Sequence, residues 1–247
     1  MKIHECTSYE IMSKIAAQAV SEQIRMKPGT VLGLPTGSTP TGMYRELVEL
    51  HRRGEIDFSA VKTFNLDEYS GLPSNHPSSY AHFMDQHLFK HVGIMPGNIH
   101  IPSGTAVDPW EECRKYDRLI REAGDIDLLI LGIGANGHIG FNEPGGRWVI
   151  ETHPVQLSLE TRRNNSRFFP DGCQTPPLAL TMGIGSIMRA DRILLLAAGP
   201  EKRAVLQRLL EKRISTDLPA SILHLHPHVT LLADREALAE FTPEKAG

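Results

Sequence analysis

The sequence predicts an α/β fold: a doubly wound, mostly parallel sheet with helices on both faces. Three observations carry this expectation. Short branched-apolar runs alternate with longer amphipathic stretches, the pattern of repeated strand–helix–strand units. The run at 128–133 is apolar and branched except at Gly132, as a strand buried on both faces must be. The runs give way to small, hydroxylated or charged residues at the carboxyl ends of the strands, where open parallel sheets bind ligands.

The elements follow in order. TVLGLP (30–35) reads as a strand and TPTGMYRELVELHRR (39–53) as its helix. VKTFNL (61–66) is followed by helix-like SSYAHFMDQHLFKHV (78–92), and WEECRKYDRLIREAG (110–124) precedes the strand DLLILGIG (127–134). After a less regular middle section, RILLLAAG (192–199) and PEKRAVLQRLLEKR (200–213) repeat the pattern, and SILHLH (221–226) and HVTLLAD (228–234) are expected to complete the sheet.

No Pro/Gly/Ser-rich linker divides the 247 residues, so one domain over 1–247 is expected. A hydrophobic fraction of 40%, a charged fraction of 22% and a net charge of -3 describe an ordinary globular chain. There is no basic tract for nucleic acid and no apolar run long enough for a bilayer, and MKIHECTSYE lacks the apolar core of a signal peptide. A cytoplasmic protein is expected. Cys6, Cys113 and Cys173 are widely spaced and odd in number, which indicates neither a disulfide framework nor a zinc site. His224 and His226 alternate with leucines, but no H-E-x-x-H or comparable spacing appears among the twelve histidines, so no metal is expected.

The loop 132–146, GIGANGHIGFNEPGG, carries His138 and Glu143 at the end of the buried strand. Its glycines permit positive φ and close approach of backbone to ligand, and an imidazole with a carboxylate there suggests acid–base chemistry. A tight connection with a merely hydrogen-bonded histidine is the competing reading. PTGSTP (35–40) places small hydroxylated residues at a helix start, either a seat for phosphate or a plain capped helix. It lacks the lysine of a P-loop and the spacing of a dinucleotide fingerprint. NLDEY sets Asp67 beside Glu68; in extended backbone their side chains point opposite ways, so one of the two is expected to face the site. GPEK aims Lys202 from a first helical turn, where a cation opposes the helix dipole.

Taken together, LGLPTGSTP, TFNLDEYSGL, GIGANGHIGFNEP, NSRFF, GPEK and LPASILHLHPHVT resemble the glucosamine-6-phosphate deaminase (glucosamine/galactosamine-6-phosphate isomerase) family over nearly the whole chain. The resemblance implies a Rossmann-like domain that converts glucosamine 6-phosphate to fructose 6-phosphate and ammonia in amino sugar catabolism, with no metal or organic cofactor. It implies Asp67 as the base that moves a proton from C2 to C1, and His138 as the group that opens the sugar ring. Glu143 would orient and tune the imidazole, with Asn136 completing the loop. Thr36, Gly37, Ser38 and Thr39, with Arg167 and Lys202, would hold the phosphate. The stretch around 157–180, with Phe168 and Phe169 beside Arg167, resembles the family's mobile lid.

Two positions depart from parts of the family. Asn136 stands where some members carry aspartate; an amide holds geometry but cannot stabilise an imidazolium by charge, so His138 is expected to depend mainly on Glu143. GGRWVIETHPVQ (145–156) offers Arg147, Trp148 and His153 where regulated members bind an N-acetylated sugar phosphate through serines and basic residues, so an unregulated enzyme is expected. Rival readings are a galactosamine-6-phosphate deaminase, a 6-phosphogluconolactonase-like hydrolase with its Gly-x-Gly-His loop, and a catalytically silent sugar-phosphate sensor. Members of the family occur as monomers and as hexamers, so a homo-oligomer stays open.

Overall fold

The computed structural model describes residues 1–170 and 174–239. Cys173 and part of the expected lid, 171–173, lie outside the described residues, as does the Phe168 side chain. In chain order the elements are β1 (Lys2–Cys6), α1 (Tyr9–Met26), β2 (Val31–Leu34), α2 (Thr41–Arg52), β3 (Lys62–Asn65), β4 (Asp67–Tyr69), α3 (Tyr80–His87), β5 (Ile99–His100) and α4 (Pro109–Glu122). They continue with β6 (Leu128–Gly132), β7 (His153–Gln156), α5 (Leu159–Asn165), β8 (Leu178–Thr181), α6 (Ile184–Arg189), β9 (Arg192–Ala197), α7 (Arg203–Leu210), β10 (Val229–Asp234) and α8 (Arg235–Leu238).

Seven strands form an all-parallel sheet in the order β1-β10-β9-β6-β2-β3-β5. Along β6 the side chains alternate faces: Leu129 and Leu131 join one core, Leu128 and Ile130 the other. Buried residues of α1, α2 and α3, such as Met12, Leu47 and Met84, pack in the second core, and those of α4, α6 and α7, such as Ile120, Ile187 and Leu206, in the first. The helices are therefore divided between the two faces, as a doubly wound sheet requires. A Ser8 side chain caps α1 and an Asp108 carboxylate caps α4 at the amides of Trp110 and Glu111.

From β2 the chain winds outward through β3 and β5, then returns to β6 on the other side of β2 and winds through β9 and β10. The reversal leaves a crevice at the carboxyl ends of β2 and β6. A small antiparallel sheet, β4-β8-β7, lies beyond that crevice, with Asp67 opposite Thr181 and Thr181 opposite His153. Buried Asp117 of α4 ties this region to the main body by accepting from the amide and hydroxyl of Thr152, at 2.9 and 2.6 Å.

The expectation that SILHLH forms a strand is corrected. Pro219–Leu225 is a 3-10 helix: Pro219 presets φ and supplies no amide at the first position. The His226 ring accepts from the His228 amide and turns its other nitrogen to the Ala190 carbonyl at 2.7 Å. His224 contacts the Leu209 carbonyl at 2.7 Å, so both rings bind backbone. HVTLLAD supplies β10 as expected.

Leu131 is fully buried in the central strand. Truncation by Leu131→Ala should cost about 2–5 kcal/mol, read as a lowered urea midpoint; a midpoint equal to the parent's would refute the two-sided burial of β6.

Candidate active site

Four neighbouring strands, β9-β6-β2-β3 in sheet order, lead directly into the sequence-predicted residues. After β2 comes the loop with Thr36, Gly37, Ser38 and Thr39. Gly37 has φ +99, a backbone open to glycine at little cost. Helix α2 then begins behind Pro40 with no side-chain cap bond, so the plain capped start is not what the hydroxyls form. From α1, the Tyr9 hydroxyl accepts from the Gly42 amide at 2.8 Å and donates to the Ser38 carbonyl at 3.1 Å, which pins the loop from behind. A Cβ on Gly42 would overlap Ser13 at 2.2 Å, so this closeness of α1 and α2 requires glycine.

After β3, Asn65 reaches across to the Leu34 carbonyl at 3.0 Å, and the Tyr116 hydroxyl donates to the Asn65 carbonyl at 2.7 Å. The chain is thus fixed just before Asp67 and Glu68 turn to different tasks. Glu68 accepts from the amides of Tyr69, Tyr80 and Ala81 at 2.8–2.9 Å, holding the start of α3. Burial nonetheless raises its pKa. Asp67 lies toward loop 132–146: its Oδ2 is 3.6 Å from where a Gly140 Cβ would stand. Burial, reinforced by the Glu68 charge, raises the Asp67 pKa from 3.8 to about 8.

After β6, the loop folds back so that the Gly134 amide donates to the His138 carbonyl at 3.0 Å and the Gly137 amide to the Gly134 carbonyl at 2.9 Å. The imidazole rests against Gly134, where any Cβ would come within 2.2 Å of the ring. Asn136 bridges the loop: its Oδ1 accepts from the His138 amide at 3.1 Å and its Nδ2 donates to Glu143 Oε2 at 2.8 Å. The His138 Nδ1 lies 4.0 Å from that same oxygen, too far for a hydrogen bond, and is buried without a partner. Burial lowers the His138 pKa, Glu143 opposes the shift and Lys202 adds to it. The imidazole is therefore biased toward its neutral form.

After β9, Gly199 turns with φ +90 into a 3-10 turn, Pro200–Lys202. Burial lowers the Lys202 pKa, Glu201 opposes this, and Arg167 adds to it, so two cations face one region. Arg167 sits in the 3-10 turn Ser166–Phe168 that follows α5. At the start of α5, the Ser158 hydroxyl caps the Thr161 amide and reaches Glu143 Oε1 at 3.4 Å.

The predicted residues thus gather at one crevice. Sequence reading missed Tyr9, Tyr69, Tyr80 and Asn165, whose partners lie on other elements and leave no local pattern, and also Ser158, the cap of α5. Among the described residues, no group of three His, Cys, Asp or Glu side chains is arranged to hold a metal. Beside Glu143, a cavity of about 340 Å³ is lined in part by Arg147, Trp148 and His153.

A parallel sheet that brings a buried carboxylate, a neutral-biased imidazole and a pair of cations beyond the carboxyl ends of its central strands has the make-up of an α/β enzyme. The chain belongs to the glucosamine-6-phosphate isomerases/6-phosphogluconolactonase family, whose model matches residues 7–232. A glucosamine-6-phosphate deaminase of Thermoanaerobacter pseudethanolicus is 52% identical over 245 residues, covering 99% of this chain and 96% of the relative. Glucosamine-6-phosphate deaminase 1 of Bacillus subtilis is 49% identical over 237 residues, covering 96% and 98%. A solved monomeric glucosamine-6-phosphate deaminase matches with a TM-score of 0.94 at 48% identity, covering 97% of this chain and 99% of that one. A 6-phosphogluconolactonase from Trypanosoma cruzi shares the fold, with a TM-score of 0.76 at 20% identity over 98% of this chain and 97% of that one.

Replacing Asp67 tests its burial through stability. Between its ordinary value of 3.8 and its folded value of about 8, the folded chain keeps a proton that the unfolded chain releases, so this carboxyl's contribution to stability falls as pH rises. Asp67→Asn should match the parent's urea midpoint near pH 4 and exceed it increasingly toward pH 8. A constant difference across that window would contradict the shift.

Proposed function

We propose that the chain isomerises and deaminates glucosamine 6-phosphate to fructose 6-phosphate and ammonia. The observation that carries this reading is the pairing of two proton-transfer groups of unlike environment, Asp67 and His138, in one crevice with a phosphate-type loop. Full-length relatives at about half identity that bear the deaminase name support it.

The phosphate sits on loop 36–39, with Arg167 and Lys202 supplying charge-assisted hydrogen bonds. His138, neutral-biased by burial, takes the proton of the anomeric hydroxyl and returns it to the ring oxygen, giving the open-chain aldehyde. Asp67 then removes the C2 proton and delivers it to C1, while the aldehyde oxygen gains a proton to become the C1 hydroxyl and the C2 amino group gives one up. A base with a pKa near the working range serves both halves of that transfer, and the raised value of about 8 fits the role. The resulting C2 imine adds water and releases ammonia, leaving the ketone. Glu143 stabilises the imidazolium that forms during ring opening, and Asn136 holds Glu143 in place. In the cytoplasm, where phosphorylated sugars reside, the enzyme needs no membrane contact; among the described residues no helix is long and apolar enough to cross one.

The galactosamine epimer differs at C4, where one or two hydrogen bonds decide selectivity. Lactone hydrolysis needs no C2-to-C1 transfer, and a silent sensor needs neither Asp67 nor His138. The purified protein should release ammonia and fructose 6-phosphate in equal amounts from glucosamine 6-phosphate, and neither hydrolyse 6-phosphogluconolactone nor prefer galactosamine 6-phosphate. Its rate should depend hyperbolically on substrate and stay unchanged when N-acetylglucosamine 6-phosphate is added. Lactone hydrolysis without ammonia would overturn the substrate.

Glu143→Gln removes the carboxylate that opposes the lowering of the His138 pKa. The acid limb of kcat/KM should move to lower pH, and kcat should drop by about a hundredfold, within the usual worth of acid–base assistance. An unaltered pH profile would show that His138 works without Glu143.

A further inference from the structure

Two tyrosines in the site are not used by that mechanism. Tyr69 and Tyr80 are packed with Phe141 and Phe169, with Tyr69 at ring-centroid distances of 4.8 Å from Tyr80, 5.7 Å from Phe141 and 5.3 Å from Phe169. The two phenylalanines fill this cluster without a polar atom. A hydroxyl placed in such surroundings costs free energy unless it is hydrogen-bonded, so the partners of the two hydroxyls indicate what they are for.

Those partners come from two separate segments. The Tyr80 hydroxyl donates to the Tyr69 hydroxyl at 3.1 Å, and the Thr36 hydroxyl bonds to Tyr80 from the other side. The Tyr69 oxygen also accepts from Asn165 Nδ2 at 2.9 Å. A chain of hydrogen bonds therefore links Thr36, Tyr80, Tyr69 and Asn165, with the Tyr69 oxygen accepting from both Tyr80 and Asn165. Thr36 opens the hydroxylated loop, while Asn165 is the last residue of α5 and stands two positions before Arg167. Tyr80 is itself held firmly, because Glu68 accepts its amide at 2.9 Å.

We propose that Tyr69 and Tyr80 are positioning residues that fix the distance between the two halves of the phosphate site, loop 36–39 and Arg167. The inference rests on the reading of those two segments as phosphate-binding. An anion bound by both halves must find them at one separation, and the hydroxyl chain connects them without itself touching the substrate. Loss of the Tyr69 hydroxyl leaves the aromatic packing intact but frees the Asn165 amide, so Arg167 is no longer held at that separation. The effect falls on phosphate affinity and spares the proton transfers at Asp67 and His138.

The test compares Tyr69→Phe, Asn165→Ala and the double variant with the parent. Inorganic phosphate binding is measured by calorimetry and glucosamine 6-phosphate turnover by ammonia release. Each single variant should raise the Kd for phosphate and the KM about fivefold, equivalent to about 1 kcal/mol for one neutral hydrogen bond. The kcat should stay within about twofold, its pH profile should not move, and the double variant should be no weaker than the weaker single, as expected for two partners in one bond. Unchanged phosphate affinity in the folded Tyr69→Phe and Asn165→Ala proteins would overturn the proposal, as would effects that multiply in the double variant. If Tyr69→Phe fails to fold, the affinity of Asn165→Ala decides alone. Failure of the deaminase reading would appear separately, as absence of ammonia from the parent, while calorimetry still decides the positioning role. A parent that binds no phosphate would overturn it together with the phosphate assignment.

Discussion

The site depends on the parallel pairing of β2 with β6. Gly33 lies opposite Leu129 in that pairing, and a Cβ on Gly33 would stand 2.2 Å from the Leu129 side chain, so the two strands meet as they do because one of them lacks a side chain there. Their outgoing loops leave toward opposite directions of winding, and the crevice between them receives β3 and β9 products from either flank. Shifting one of these strands by a residue would move a whole loop along the sheet and separate Asp67 from His138. Side-chain bonds to backbone carbonyls guard against this at β2 and β3, through Asn65 on Leu34 and Tyr116 on Asn65.

Burial then acts on Asp67 and His138 in opposite senses. Removing water disfavours a charge of either sign, so the Asp67 pKa rises and the His138 pKa falls. One low-dielectric pocket thereby brings a carboxyl and an imidazole, ordinarily separated by more than two units, toward or past one another. The adjacent Glu68 adds to the rise at Asp67 while its own carboxylate is engaged with three backbone amides. The neighbouring carboxylates thus differ in role because one is absorbed into a helix start and the other is left facing the crevice. Only the alternation of extended backbone, which sends them apart, was visible in NLDEY.

The strands that carry the site were legible because they are buried on both faces, and continuous apolar runs at β2, β6, β9 and β10 announce that. Lys2–Cys6 was not, since it is an edge strand whose first four residues are exposed, and its composition resembles a loop. The small sheet β4-β8-β7 escaped because its strands are three or four residues long and β4 is acidic. SILHLH misled through a genuine alternation of leucine and histidine, which Pro219 overrides. Of the site, the loop residues could be found by glycine density and position after a strand. Tyr69 and Asn165 could not, because their meaning lies in a contact between residues 96 positions apart.

The edge strand has a further consequence for how the chain is made. Residue 2 pairs with residue 230, so β1 can find its place only when nearly the whole polypeptide is available, whereas β2, β3 and β5 can associate from a far shorter piece. Contacts so distant in sequence form late and slowly. Until β9 and β10 are added, α1 must dock its apolar face on a sheet that lacks the strands on that side, and the partly made sheet presents the open edge of β6. The nascent chain therefore exposes the open edge of β6, the strand that leads into loop 132–146, from the time that strand is made until β9 (Arg192–Ala197) follows, and its demand on holding chaperones should end with the arrival of β9.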